Sequence, residues 1–424
     1  MTSPTDAGEL MAALMWPPDA EPRFGPADGI TAGRREVCRY RVRPDLGRAT
    51  IFLPSGRAGA VTLRRLAAQN SQLARLARLA AIPAARVGAL MHLPGATVSL
   101  TVSSSADPAT SLVAELGRRL GTELAAVVYL GPPRPNRKPV LQLVDRRGRA
   151  VAWAKLAPNE LTRRLVGTEA DALELIASSG RTTVLRAARI LDRFEWPGAE
   201  VLVFDPLPPA WIRARGGEEQ LVDAALVDIA RLIEPTTSSI GESQWSSSLT
   251  DRLEGAGADG VVASFEQLAA VRTEELSFGC WHGDFTSWNH DVRGDRVNVW
   301  DWERFDRSVP LGLDLVHLVF QEHLQHQGAS ITDSASATDT SGLRARLRRL
   351  GVTPGTEDLV VSCYLFELAA RYGEDRSMAV GTRYEAWCEE LEEVLAERLG
   401  RLVAQRPRAS EASLRADTGE GFPE

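Results

Sequence analysis

Lysine is almost missing from this 424-residue chain. Of its 49 basic residues only Lys138 and Lys155 are lysines, and every other one is arginine. A compact, strongly hydrated ammonium is not reproduced by a planar guanidinium, so both survivors are site candidates. Cysteine is sparse as well: Cys38, Cys280, Cys363 and Cys388 are far apart and form no C-x-x-C. That excludes a disulfide framework or a paired-thiolate zinc site and fits a reducing compartment. Apolar runs fall far short of a membrane span, and Met1 to Glu9 carry neither a basic segment nor an apolar stretch after it. A cytoplasmic protein with no membrane partner is expected. The net charge of −7 lacks the basic excess of a nucleic-acid binder, and nothing in the sequence points to a protein partner.

What is present is a globular composition, 44% hydrophobic and 25% charged, in a chain long enough for two or three domains. Residues 1–105 mix a Pro-rich start, strand-like stretches (Val37 to Val42, Ala49 to Leu53, Ala96 to Val102) and a helical pattern from Val61 to Leu79. They read as an accessory N-terminal module. Residues 106–208 read as a helix (Ala109 to Leu120), three strands (Ala125 to Leu130, Val140 to Val144, Ala150 to Leu156), a helix (Glu160 to Ala177) and two more strands (Thr182 to Leu191, Ala199 to Phe204). The Asp145-Arg146-Arg147-Gly148 turn joins the second and third strands. Residues 209–405 turn to long helices: Glu218 to Ile233, Val261 to Glu275, Leu311 to His326, Leu343 to Leu350, Leu359 to Arg371 and Arg383 to Val403. Ala329 to Ser341 reads as a loop and 406–424 as a disordered polar tail.

The most informative stretch is Trp281 to Glu303, W-H-G-D-F-T-S-W-N-H-D-V-R-G-D-R-V-N-V-W-D-W-E. Val292 and Val297 to Trp300 have strand character, with Arg293-Gly294-Asp295 as the turn. A hairpin centred near Asp295 sets Asn289 opposite Asp301, where their side-chain oxygens can share a Mg²⁺. Asp284 precedes the hairpin by a short loop. A carboxylate base beside two metal ligands is what phosphoryl transfer requires.

H-G-D-x-x-x-x-N followed by a strand ending in D-W-E resembles the aminoglycoside phosphotransferase/choline kinase family, itself similar to protein kinases. The resemblance covers roughly residues 110 to 400 and is strongest from Trp281 to Asp314. It implies an α+β, bilobal protein-kinase-like fold: a small antiparallel β-sheet lobe (106–208) on the nucleotide side and a helical lobe (209–405) with the catalytic loop. It also implies ATP, or another nucleoside triphosphate, and Mg²⁺ as cofactors. Asp284 is then the catalytic base, Asn289 and Asp301 are the metal ligands, and His282 and Asp314 support the loop.

On the nucleotide side, alternation puts Val151, Trp153 and Lys155 on one strand face. Leu161, Leu165, Ala172, Leu173 and Ile176 form the apolar stripe of the next helix, with Glu169 inside it. A carboxylate there needs a partner, and Lys155 is the natural one. The loop Gly131 to Lys138 lacks G-x-G-x-x-G, so Arg137 and Lys138 are assigned to the phosphates. Trp153 departs from the kinase pattern's small residue over the adenine. By position, Val201 to Leu207, with Phe204 and Leu207, corresponds to the segment that reads the adenine edge.

The acceptor is expected to be a small hydroxylated molecule: a sugar, amino sugar, aminoglycoside or amino alcohol. Glu374, Asp375, Glu385, Glu389, Glu390, Glu392 and Glu393 read first as a solvated helix face and second as contacts for a cationic group. Trp281, Trp288, Trp302 and Trp387 fit a ring site or a core equally well. The rival reading is a non-catalytic nucleotide-binding regulator of the same fold. Degenerate kinases usually lack one of the key residues, whereas Lys155, Glu169, Asp284, Asn289 and Asp301 are all here.

Overall fold

The computed structural model describes residues 4–26, 30–43, 51–54, 97–131, 136–208, 217–378 and 382–404. The helix expected over Val61 to Leu79, Pro132 to Pro135 of the candidate phosphate loop and the tail 406–424 lie outside the described residues. The chain divides into two compact units. One comprises Met1–Gly180, Arg186–Arg215 and Val292–Arg304, and the other Arg181–Leu185, Gly216–Asp291 and Phe305–Glu424.

The first unit is built on an antiparallel sheet. In spatial order its strands are Arg23–Pro26, Thr97–Ser103, Arg34–Arg43, Ile51–Pro54, Leu124–Tyr129, Val140–Asp145, Ala150–Ala157, Ala199–Phe204 and Ile190–Trp196. The expected turn forms as drawn: Gly148 takes φ +77, and Asp145 Oδ1 accepts the Arg147 and Arg149 backbone N–H groups. Period-two alternation sends Ala152, Ala154 and Leu156 into a core with Leu141, Leu143, Val201 and Val203. The N-terminal strands belong to the same sheet, since Ile51 pairs with Tyr129 and Phe52 with Val128. The Pro4–Met15 helix, absent from the sequence reading, buries Met11, Leu14 and Met15 in that core, and its Leu14 carbonyl accepts from Trp196 Nε1.

Helix Glu160–Ser179 starts at an Asn159/Thr162 capping box and ends at Gly180 in the left-handed region. Its buried face is rotated from the expected stripe. Thr162, Val166, Glu169, Ala170, Ala172, Leu173 and Ile176 are buried, so Ala172, Leu173 and Ile176 of the stripe hold, whereas Leu161 and Leu165 are only half-buried. Val166 and Ala170 pack on Ala157 and Leu202, which turns Glu169 inward with them.

The strand expected over Thr182 to Leu191 is broken. The backbone N–H groups of Thr183, Val184 and Leu185 all donate to buried Asp228 Oδ2, and strand pairing is confined to Leu185–Arg186. The longer strand begins only at Ile190.

The second unit carries the helices Glu218–Ala230, Gln244–Gly255, Asp259–Val271, Leu313–Gln321, Ser341–Arg349, Glu357–Met378 and Thr382–Ala404. Gln244–Gly255 was not foreseen. The stretch Ala329 to Ser341 is not all loop either: Ser330 caps a short Ile331–Ala337 helix that buries Ile331 and Ala335. The helix expected to reach Glu275 stops at Val271, and Glu275–Trp281 is instead the central strand between Thr236–Ser239 and Asp306–Pro310. Gly279 on that strand meets the Ala230 carbonyl so closely that a Cβ there would lie 2.3 Å from the oxygen. Strands, one helix, two strands and then helices is the expected α+β protein-kinase-like order. Among the described residues no helix is long and apolar enough to cross a membrane.

Candidate active site

In the helical unit the central strand delivers the chain to His282-Gly283-Asp284. Gly312, at φ +95, opens the Leu313–Gln321 helix, and Asp314 sits in its first turn. Asp314 Oδ2 accepts the His282 N–H at 2.6 Å and Oδ1 the Gly283 N–H at 3.0 Å. Burial pushes the Asp314 carboxyl up to about 7, against the pull of these two donors. Gly283 takes φ +80, a conformation glycine reaches without strain. His282 is fully buried and its Nδ1 accepts the Asp284 backbone N–H at 3.1 Å. Both residues therefore shape the loop, as the resemblance implied.

Each oxygen of Asp284 has its own partners. Oδ1 accepts from Arg371 Nη2 at 2.8 Å and from His317 Nε2 at 3.2 Å. Oδ2 accepts from Asn289 Nδ2 at 2.9 Å. Arg371 also donates through Nη1 to the Gly283 carbonyl at 3.1 Å. Because a carboxylate only accepts, His317 carries a proton on Nε2, and its Nδ1 lies 3.1 Å from the Tyr364 hydroxyl oxygen. Burial alone would raise the Asp284 carboxyl, but Arg371 and His317 reverse this and hold it well below the usual carboxylate range.

The Asn289 amide nitrogen is committed to the loop, donating to the Asp284 carbonyl and to Oδ2, both at 2.9 Å. Its Oδ1 is thus the atom that would face a cation, and the amide fits the role of an oxygen ligand. Phe285 is buried and stacked on His290 at 4.7 Å, and His290 Nδ1 lies 2.7 Å from the Thr286 carbonyl. This packing fixes the turn between Asp284 and Asn289.

In the strand unit Lys155 is buried on the face opposite Ala154. Its Nζ donates to Glu169 Oε2 at 2.6 Å, Glu169 Oε1 at 2.8 Å and Asp301 Oδ1 at 2.7 Å. Burial disfavours the ammonium, yet Asp301 and Glu169 outweigh it and push the Lys155 pKa up. Asp301 lies two residues beyond the end of the Arg296–Val299 strand, not within a hairpin as expected, and takes φ +71. Aspartate is among the few non-glycine residues that tolerate this region. Its side chain is one-third exposed, and a carboxylate of this kind fits a hard cation. Among the described residues no group of three or more His, Cys, Asp or Glu side chains forms a metal cage. A Mg²⁺ held by one or two protein oxygens needs none.

Lys138 is ion-paired with Glu303, so both lysines of the chain contact the Asp301-Trp302-Glu303 segment. Arg137 donates to the Leu130 and Gly131 carbonyls. Phe204 ends its strand opposite Trp153, whose ring lies 5.5 Å from Tyr129. Leu207 is half-buried. Trp302 is core, Trp288 is 43% exposed, and Trp387 packs on Tyr372. Glu385, Glu389, Glu392 and Glu393 are exposed, while Glu374 pairs with Arg252.

Arg371, His317 and Glu303 were not singled out in the sequence. His317 had one local signal, lying one helical turn after Asp314. Arg371 had none, being 87 residues from its partner.

No family profile and no curated protein sequence matches the chain. Several solved structures are similar to it. One is a putative fructosamine-3-kinase from Thermobifida fusca YX-ER1, at 13% identity over 68% of this chain and 98% of that one, TM-score 0.42. Another is the aminoglycoside phosphotransferase APH(4)-Ia in ternary complex with ADP and hygromycin B, at 12% identity over 69% and 98%, TM-score 0.42. A third is an ethanolamine kinase of Plasmodium vivax, at 11% identity over 64% and 82%, TM-score 0.39.

Proposed function

We propose that the chain is an ATP- and Mg²⁺-dependent phosphotransferase that moves the γ-phosphate to a hydroxyl of a small molecule. A sugar, amino sugar, aminoglycoside or amino alcohol is the proposed acceptor class. The observation that carries this reading is the state of Asp284. It is a carboxylate on a glycine-shaped loop, with one oxygen accepting from Arg371 and His317 and the other beside the amide of Asn289.

In this reading Asp284 takes the hydrogen bond of the acceptor hydroxyl and receives its proton as the bond to phosphorus forms. The Lys155 ammonium, held in place by Glu169, contacts the nucleotide phosphates. Lys138 and Arg137 are assigned to the same phosphates, and Phe204 and Leu207 to the base. Asn289 and Asp301 are the proposed Mg²⁺ ligands, and the ion when bound neutralises phosphate charge. Residues 106–208 then serve the nucleotide, 209–405 the acceptor, and 1–105 an accessory role.

The test is Mg²⁺-dependent ATP consumption by the purified chain across a panel of sugars, amino sugars, aminoglycosides and amino alcohols. Phosphorylated product with at least one acceptor is the expected result. Tight ATP binding with no turnover on any of them would replace this reading with that of a nucleotide-binding regulator.

A further inference from the structure

We infer that Arg371 is a positioning residue for the transfer reaction, acting with His317 to orient Asp284 so that Oδ2 alone addresses the acceptor hydroxyl. The inference rests on the phosphotransferase reading and extends it to residues outside the catalytic loop.

Three geometric facts support it. First, the Arg371 guanidinium bridges main chain and side chain of the loop, with Nη1 on the Gly283 carbonyl at 3.1 Å and Nη2 on Asp284 Oδ1 at 2.8 Å. A planar fork on two consecutive residues ties the Asp284 side-chain torsion to the backbone that carries it. Second, His317 Nε2 reaches the same oxygen, and its ring is held from behind by a hydrogen bond between Nδ1 and the Tyr364 hydroxyl. His317 and Tyr364 are each only 1% exposed, so this support is part of the helical core. Third, among the described residues Oδ2 takes a single donor, Asn289 Nδ2. Two donors on Oδ1 and one on Oδ2 leave Oδ2 with the acceptor capacity for an incoming hydroxyl.

Neither Arg371 nor His317 needs to touch the acceptor. Their effect is on where the reacting oxygen stands, and misplacement by about 1 Å costs about 100-fold in rate.

The experiment compares wild type, Arg371→Lys and Arg371→Ala by initial rates on whichever acceptor the panel identifies. Thermal melting and binding of a fluorescent ATP analogue accompany the rates. Arg371→Lys keeps the charge but loses the fork. It is expected to melt near wild type, to bind the nucleotide within about 3-fold, and to lose about 10-fold in kcat. Arg371→Ala is expected to lose about 100-fold in kcat, and millimolar guanidinium should restore several-fold of that loss. A merely structural arginine would show its loss in melting and nucleotide binding, with no rescue. Full-rate transfer by folded Arg371→Lys overturns the inference while leaving the phosphotransferase reading intact. Absence of transfer by wild type on every acceptor overturns both.

Discussion

Lys155 and Glu169 are joined by two hydrogen bonds of 2.8 and 2.6 Å, with side chains only 9% and 4% exposed. A pair this dry stabilises little in net terms, because desolvation offsets most of its attraction, yet removing one partner leaves a buried charge. Glu169→Ala is therefore expected to lower the unfolding free energy by about 3 kcal/mol, with Asp301 limiting the damage. Urea denaturation measures it. If Lys155 contacts phosphates, affinity for a fluorescent ATP analogue should also fall more than 10-fold. Unchanged affinity would remove Lys155 from the nucleotide site.

Asp284→Asn should abolish transfer while largely sparing nucleotide binding. The Arg371 and His317 donors select the amide oxygen at the Oδ1 position, which turns the new NH₂ toward the place of Oδ2. A group that only donates cannot receive the acceptor's proton. Product formation at the wild-type rate by this variant would end the base assignment.

Acid stability follows from the same carboxylate. The Asp284 pKa is depressed on folding, so its ion pair with Arg371 contributes above about pH 4, the unfolded value, and is lost as pH falls further toward the folded value. Wild type should lose stability progressively below about pH 4, and Asp284→Asn should follow a flatter course there. Melting temperatures between pH 2.5 and 6 distinguish the two curves.

Asp314 has the opposite sign. Its folded value is pushed up to about 7, so the stability it contributes is full below about pH 4 and is lost as pH rises through 7. Asp314→Asn should remove that decline. It should also cost about 1–3 kcal/mol, because an amide presents only one oxygen to the His282 and Gly283 N–H groups. Stability as a function of pH in both proteins checks the sign.

Gly312→Ala tests how the brace is held. At φ +95 an L side chain is strained, and the added Cβ would lie 2.5 Å from Leu347 Cδ2. A loss of about 2 kcal/mol is expected from the backbone and the contact together, and transfer should fall further as Asp314 shifts under the loop. A variant as stable and as active as wild type would mean that this helix start carries no strain.

The sequence alone was enough for whatever local chemistry dictates. The H-G-D-x-x-x-x-N spacing, the Asp145 to Gly148 turn and the inward Glu169 on an apolar stripe are short-range features. Each follows from side-chain type and period, and the same holds for the α+β order of strands and helices. Tertiary structure decided the rest. The expected strand was shortened to Leu185–Arg186 where Asp228, more than 40 residues away, takes the N–H groups of Thr183 and Val184. The polar stretch after Ala329 became a helix because Ile331 and Ala335 found a core to enter. The joining of the N-terminal strands to the sheet of Lys155 rests on pairings such as Ile51 with Tyr129. Most of all, the partners of Asp284 come from two helices 33 and 87 residues downstream. A carboxylate's need for donors is visible in its own residue type, but which donors meet it depends on packing that no local period encodes.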